Sequence, residues 1–193
     1  VTASDEYDID TVYPLYSGTA NIQGGYRYPV GFYAPILEPA PTFGIMLTYN
    51  PRWFRGMLLD LEAMYSNHPF KRIDGSTMTF VTVSLGPTYC YPLWFGFEAR
   101  MSMGIGGQLS IMEAAQTKQS AQSFDPYGQG RLLLAYNLPW GLDVYGGGIY
   151  GIAVQSASMR MLKSASLIGG ITYHWDPTQM HAKQASVVRF EDL

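Results

Sequence analysis

At 193 residues the chain fits one domain, and only 14% of its residues are charged, against 15% aromatic and 21 glycines. Ordinary soluble domains carry about 25% charge, so this composition supplies too little charge for a well-solvated surface. With a net charge of −3 and no basic cluster it offers no surface to nucleic acid, and Cys90, the one cysteine, excludes an internal disulfide framework and a multi-cysteine zinc site.

No stretch approaches the roughly 18 apolar residues that a spanning helix needs, because Gly, Thr, Ser or a charge breaks every apolar run within a few positions. The chain also lacks a basic start followed by an apolar core, so any export signal has been removed or was never there. What recurs instead is alternation, the period of two that marks strands. Residues 1–13, with the acidic stretch "SDEYDID" at 4–10, precede the first strand, predicted near 14–28. There Tyr16, Ala20, Ile22, Tyr26 and Tyr28 oppose Ser17, Thr19, Asn21, Gln23 and Arg27. Strands follow near 41–50, 54–66, 76–89, 94–111, 124–137, 141–156 and 162–175. In the third, Met57, Leu59, Leu61 and Tyr65 oppose Asp60 and Glu62, with Leu58 and Met64 interrupting the polar side. In the fifth, Phe97, Ala99, Met101, Met103 and Ile105 oppose Glu98, Arg100, Ser102, Gly104 and Gly106.

Eight strands is an even number, as an up-and-down barrel requires. The predicted fold is therefore all-β, an eight-stranded antiparallel up-and-down transmembrane barrel over 14–175. A soluble barrel would place its apolar face around a ligand and its polar face in water. The polar face here is mostly Gly, Ser, Thr, Asn and Gln with almost no Lys, which suits the cramped interior of an eight-stranded barrel better than a water-facing wall.

Connections alternate in length. Long ones are read at 29–40, 67–75 and 112–123, short ones at 51–53, 90–93 and 138–140, and a medium one at 157–161. The short ones fall within "TYNPRW" (48–53), "TYCYPLW" (88–94) and "AYNLPW" (135–140), three copies of one pattern. Pro51, Pro92 and Pro139 are read as fixing φ in these turns. Tyr49, Trp53, Tyr91, Trp94, Tyr136 and Trp140, joined by Tyr173 and Trp175, form a predicted aromatic girdle at the lipid headgroups. Outer-membrane barrels have short periplasmic turns and longer outer loops. That places both termini in the periplasm, with 176–193 as a periplasmic tail.

In this register Asp60, Glu62, Glu98, Arg100, Arg131 and Asp143 point inward, and such buried charges must pair into a network. A plug suits so narrow a lumen better than a gate or proton path. In an outer loop, His68 lies near Ser66, Asp74 and Ser76. A histidine at a loop tip is ordinarily solvated, and the three histidines do not converge as metal ligands would. No cofactor, metal or catalytic residue is assigned.

The chain resembles the small outer-membrane β-barrel proteins of Gram-negative bacteria, the class typified by the barrel domain of outer membrane protein A, over about residues 13–175. The most local element is "GITYHW", where Gly170, Tyr173 and Trp175 resemble the glycine and spaced aromatics of the C-terminal strand signal read by the barrel-assembly machinery. The tail "DPTQMHAKQASVVRFEDL" departs from the many members that end at that strand. The resemblance also brings in, as a competing expectation, the lipid A acylases and deacylases of this size, which use His and Ser near the outer leaflet.

Two surfaces are candidate partner contacts. The first long loop, "PVGFYAPILEPAP", is apolar for a segment in water, with Phe32, Tyr33, Ile36 and Leu37, and either offers a contact surface or folds over the barrel mouth. The tail carries Val187, Val188 and Phe190 in a pattern able to add a strand to a partner's sheet. The third long loop, "EAAQTKQSAQSFD", is read as polar and mobile. The expectation is a non-enzymatic outer-membrane anchor or accessory subunit of an envelope complex, such as one for secretion or outer-membrane protein assembly, with outer-membrane lipid and other envelope proteins as partners. A lipid A-modifying enzyme and a free-standing adhesion or surface-stability barrel are the alternatives.

Overall fold

A computed structural model describes residues 18–51, 57–115, 119–155 and 160–175. Eight strands follow in chain order: β1 Gly18–Val30, β2 Ala40–Tyr49, β3 Met57–Pro69, β4 Thr77–Pro92, β5 Phe97–Ala114, β6 Gln119–Leu138, β7 Leu142–Val154 and β8 Met161–Trp175. Each pairs antiparallel with its sequence neighbours, and β8 returns to β1 from Gly18↔Trp175 to Val30↔Lys163, closing the barrel. Closure leaves no edge strand, so each strand is laddered to a neighbour on both sides.

Burial alternates along the strands with the expected period. Thr19, Asn21, Gln23 and Arg27 of β1 are buried, while Ile22, Tyr26 and Tyr28 lie exposed outside. The same inversion of ordinary protein anatomy holds around the wall. Ile45, Leu85, Met103, Ile105, Leu132, Leu167 and Ile171 face outward, while Asp60, Glu62, Arg100, Arg131 and Asp143 are buried inside. An exposed apolar belt of this extent is stable against hydrocarbon and not against water.

Strand extents depart from the sequence reading most at the third long loop. Leu109 to Glu113 of β5 pair with Phe124 to Ser120 of β6, so the stretch read as a mobile loop is largely a continuing hairpin. Polarity misled here: a backbone ladder propagates independently of side-chain hydrophobicity once its register is set. His68 likewise belongs to β3, on the inward side, and not to a loop tip.

The short turns are built differently from the proline reading. Pro92 is still in the β4 ladder, opposite Glu98. The reversals are made by Phe95-Gly96 (φ 58° and 78°) and Trp140-Gly141 (φ 68° and 74°). Hairpin turns of this kind need positive φ at both central residues to match strand twist, and proline is locked near −65°. Pro139 does lie in its turn, as the first residue of the Pro139–Gly141 connection between the paired Leu138 and Leu142. Residues 52–56 of the remaining short turn, Trp53 among them, lie outside the described residues.

Glycine enters the wall for closeness at Gly86 and Gly106. A Cβ on Gly86 would lie 1.9 Å from the Met103 carbonyl oxygen, and one on Gly106 would lie 1.9 Å from that of Val83. Strands β4 and β5 pass one another at a separation that only glycine allows.

Candidate functional site: the filled lumen and its lid

The interior is packed in three tiers. At the end where β1 begins and β8 finishes, Arg100 bridges two acids. Its Nε is 2.5 Å from Glu98 Oε1 and its Nη2 is 2.5 Å from Asp143 Oδ2. His174 Nε2 approaches the same Asp143 oxygen at 2.6 Å, and Arg100 Nη1 donates to Thr172 Oγ1 at 3.4 Å. Three strands, β5, β7 and β8, therefore contribute to one ionic knot.

The middle tier is centred on Arg131, 3.4 Å from Glu62 Oε2 and 3.6 Å from Asp60 Oδ2. Thr48 Oγ1 donates to Asp60 at 2.8 Å, and Thr88 Oγ1 donates to its other oxygen. The Nε2 groups of Gln23 and Gln129 donate to the two oxygens of Glu62, and Tyr145 donates to Gln23 Oε1 at 3.1 Å. Between this tier and the first, Thr48, Asp60, Arg100 and Arg131 are among the residues lining a cavity of about 10 Å³. That is room for one water molecule at most and for no hydrated ion.

The third tier changes character. Arg27 stacks over the Phe80 ring, 4.9 Å from its centroid, and donates to Gln108 Oε1 at 2.8 Å. Around it Leu37, Met78, Phe80, Tyr127, Ala153 and Leu162 form an apolar cluster. Leu37 comes from the first long loop, which thus lies across the mouth as a lid. Its backbone is tied to the β3–β4 connection by Glu38 N–H to Pro69 O at 2.9 Å, Lys71 N–H to Ile36 O at 2.9 Å and the Leu37–Phe70 bridge. Lys71 Nζ adds a bond to Ala34 O at 2.7 Å. Tyr33 donates to Gln155 Oε1 at 2.5 Å, and its partial burial raises the phenol's pKa above the usual value, an effect that outweighs this bond.

His68 closes the lid from below. Its Nδ1 lies 2.8 Å from the Glu38 carbonyl, and a carbonyl can only accept, so Nδ1 carries the proton. In the neutral ring Nε2 then accepts from Ser66 Oγ at 3.1 Å. Both side chains are fully buried, at 0% exposure. The pair read as an outer-loop feature is a bracket between the β3 wall and the lid.

The six charged residues assigned to a lumen network come together in two knots, Glu98–Arg100–Asp143 and Asp60–Glu62–Arg131. Sequence reasoning put Gln23 and Arg27 on the polar face of the first strand without joining them to this network, and it did not join Gln129, Tyr127 and Tyr145, although the parity of Arg131 and Asp143 includes each. Tyr49, Tyr91, Trp94, Tyr136, Trp140, Tyr173 and Trp175 are exposed at the short-turn end of the wall; Trp53 is outside the described residues. Of the loop residues taken as contacts, Leu37 is 1% exposed and serves the lid, and Tyr33 and Ile36 pack against the same cluster. Loop apolarity is explained by burial under this lid, and Phe32 alone of the four lies open, with Arg160 stacked 4.5 Å from its ring centroid. Val187, Val188 and Phe190 lie outside the described residues. Among the described residues no group of His, Cys, Asp and Glu is arranged to hold a metal ion.

A closed eight-stranded antiparallel barrel with an apolar exterior and a packed polar interior has the fold of the small outer-membrane β-barrels. Neisserial surface protein A is similar at a TM-score of 0.68 and 7% identity, over 82% of this chain and 97% of that one. Ail, the attachment invasion locus protein of Yersinia pestis, is similar at 0.51 and 12% identity, over 82% and 99%. The N-terminal barrel domain of Pseudomonas aeruginosa OprF is similar at 0.51 and 13% identity, over 82% and 98%. No protein-family model and no curated protein matches the chain by sequence.

Proposed function

We propose that this barrel is a non-enzymatic anchor or accessory subunit of an envelope complex in the bacterial outer membrane, with the short turns and both termini on the periplasmic side. The observation that carries the reading is the filled lumen. Among the described residues, two ionic knots and an apolar lid fill the lumen, and the cavity between the knots has room for one water molecule at most, which leaves no conduit through the barrel. Its working surfaces are then the outside of the wall, the rim and the terminal segments. The tail with Val187, Val188 and Phe190 is the proposed periplasmic contact. On the outer side the contact narrows to the exposed Phe32–Arg160 pair, because Leu37 is committed to the lid.

The lipid A-modifying alternative loses its main support, since Ser66 and His68 are sealed beneath the lid and hold it down. A free-standing adhesion or surface-stability barrel remains the competing reading. Extraction from native outer membranes in mild detergent, followed by mass and composition analysis, separates the two. Stoichiometric partners lost on deleting 176–193 support the subunit reading, whereas a lone monomer across several detergents overturns it.

A further inference from the structure

Three guanidiniums are buried among the described residues, those of Arg27, Arg100 and Arg131. Arg100 and Arg131 each face two carboxylates, whereas Arg27 makes no ion pair with any described residue. Its partners are neutral. Nη2 donates to Gln108 Oε1 at 2.8 Å, Nη1 reaches Ser66 Oγ only at 3.4 Å, and the Phe80 ring centroid lies 4.9 Å from the guanidinium carbon. Asp125, opposite Gln108 in the β5–β6 ladder, accepts from Ser123 at 2.9 Å and is not within ion-pair distance of Arg27. A buried cation is costly unless an anion meets it, and in this lumen the other two arginines have theirs.

We propose that Arg27 is the floor of a binding site for an anionic amphiphile, a carboxylate on a single alkyl chain such as a fatty acid, and that the lid side chains Leu37 and Ile36 stand where that chain would run. Charge selects the head. One guanidinium balances one negative charge, and its planar fork matches a carboxylate, whereas a phosphate monoester brings close to two charges and a zwitterionic head would bury a second cation. The surroundings select the chain, because Leu37, Met78, Phe80 and Leu162 make the tier around Arg27 apolar, as a site for an alkyl ligand requires. The floor is also wired to the lid. Ser66 Oγ accepts from Arg27 and donates to His68 Nε2 at 3.1 Å, and His68 Nδ1 donates to the Glu38 carbonyl at 2.8 Å, so an anion that draws Nη1 away from Ser66 slackens the bracket that holds the lid. Gly31, at the start of the lid, has a φ of 71° and open space around it, which gives the segment a point to turn on. This site is separate from the proposed periplasmic contact and does not depend on it.

Photocapture tests this. The refolded protein in phosphatidylcholine vesicles, at a mildly alkaline pH that keeps the carboxyl ionised, is exposed to dodecanoate carrying a terminal diazirine and, in parallel, to the matching dodecanol. Captured residues are mapped by mass spectrometry. Capture around Leu37, Met78 and Leu162 is expected to be about tenfold or more greater for the acid than for the alcohol, the scale set by a buried charge pair. Equal capture of acid and alcohol, or capture confined to outward wall residues such as Ile105 and Leu167, overturns the proposal. Arg27→Met, shown folded by heat-modifiable gel mobility, keeps the bulk and removes the charge. Its acid capture is expected to fall to the level of the alcohol, and acid capture equal to wild type overturns the proposal. If the variant does not fold, the comparison of acid with alcohol on the wild-type chain decides.

Discussion

Replacing Arg100 with alanine tests the lumen architecture most sharply. The guanidinium is within 2.5 Å of both Glu98 and Asp143, and the Asp143 side chain is 2% exposed. Removing one partner of a buried pair costs about 3–5 kcal/mol, because the remaining charge stays desolvated. Two features place Arg100→Ala near the lower bound. His174 stays at 2.6 Å from Asp143, and Glu98 keeps 15% side-chain exposure through which water can reach it. About 3 kcal/mol is a change of about two powers of ten in the folding equilibrium. With a urea dependence of about 1–3 kcal/mol per molar, the midpoint falls by about 1 M or more. The assay is reversible urea unfolding in lipid vesicles, followed by tryptophan emission. Adding Glu98→Gln and Asp143→Asn to Arg100→Met should restore most of the loss, since a neutral set leaves no stranded charge. A midpoint for Arg100→Ala indistinguishable from wild type would refute the reasoning.

Other expectations follow from the wall and the lid. Gly86→Ala should prevent folding, because its Cβ would lie 1.9 Å from a backbone oxygen, while Gly130→Ala should fold normally, there being no atom within 4 Å; refolding yield in vesicles compares them. Leu37→Ala should cost about 2–4 kcal/mol locally and raise amide exchange across the lid. It should leave planar-bilayer conductance at background, because the Arg131 tier still fills the lumen, and a new conductance would show that the lid is the only seal. His68→Ala should loosen the same lid and leave the lipid A of the host cell unchanged in mass spectra, whereas an altered acylation pattern would revive the enzymatic alternative.

How much was legible in advance varies by residue. The inward set on β3 and β5 could be read because the strand period puts Asp60, Glu62, Glu98 and Arg100 on one face whatever the tertiary context. Their partners could not, because Arg100–Asp143 joins strands that are not adjacent, and only barrel closure brings β5 and β7 face to face across the lumen. His68 was misplaced by the polarity of its neighbours, and the aromatic-glycine turns were hidden because sequence custom assigns such reversals to Asn-Gly or to proline.

The sequence by itself determined the strand alternation, the even number of strands, the scarcity of surface charge and the aromatic-rich short turns. These are local or compositional properties, and the physics behind them needs only a backbone and its solvent. The tertiary structure decided that the first loop is a lid, that Ser66 and His68 hold it, and that the lumen charges form two separate knots. Each depends on distances between residues far apart in the chain, and those distances exist only once the wall has closed on itself.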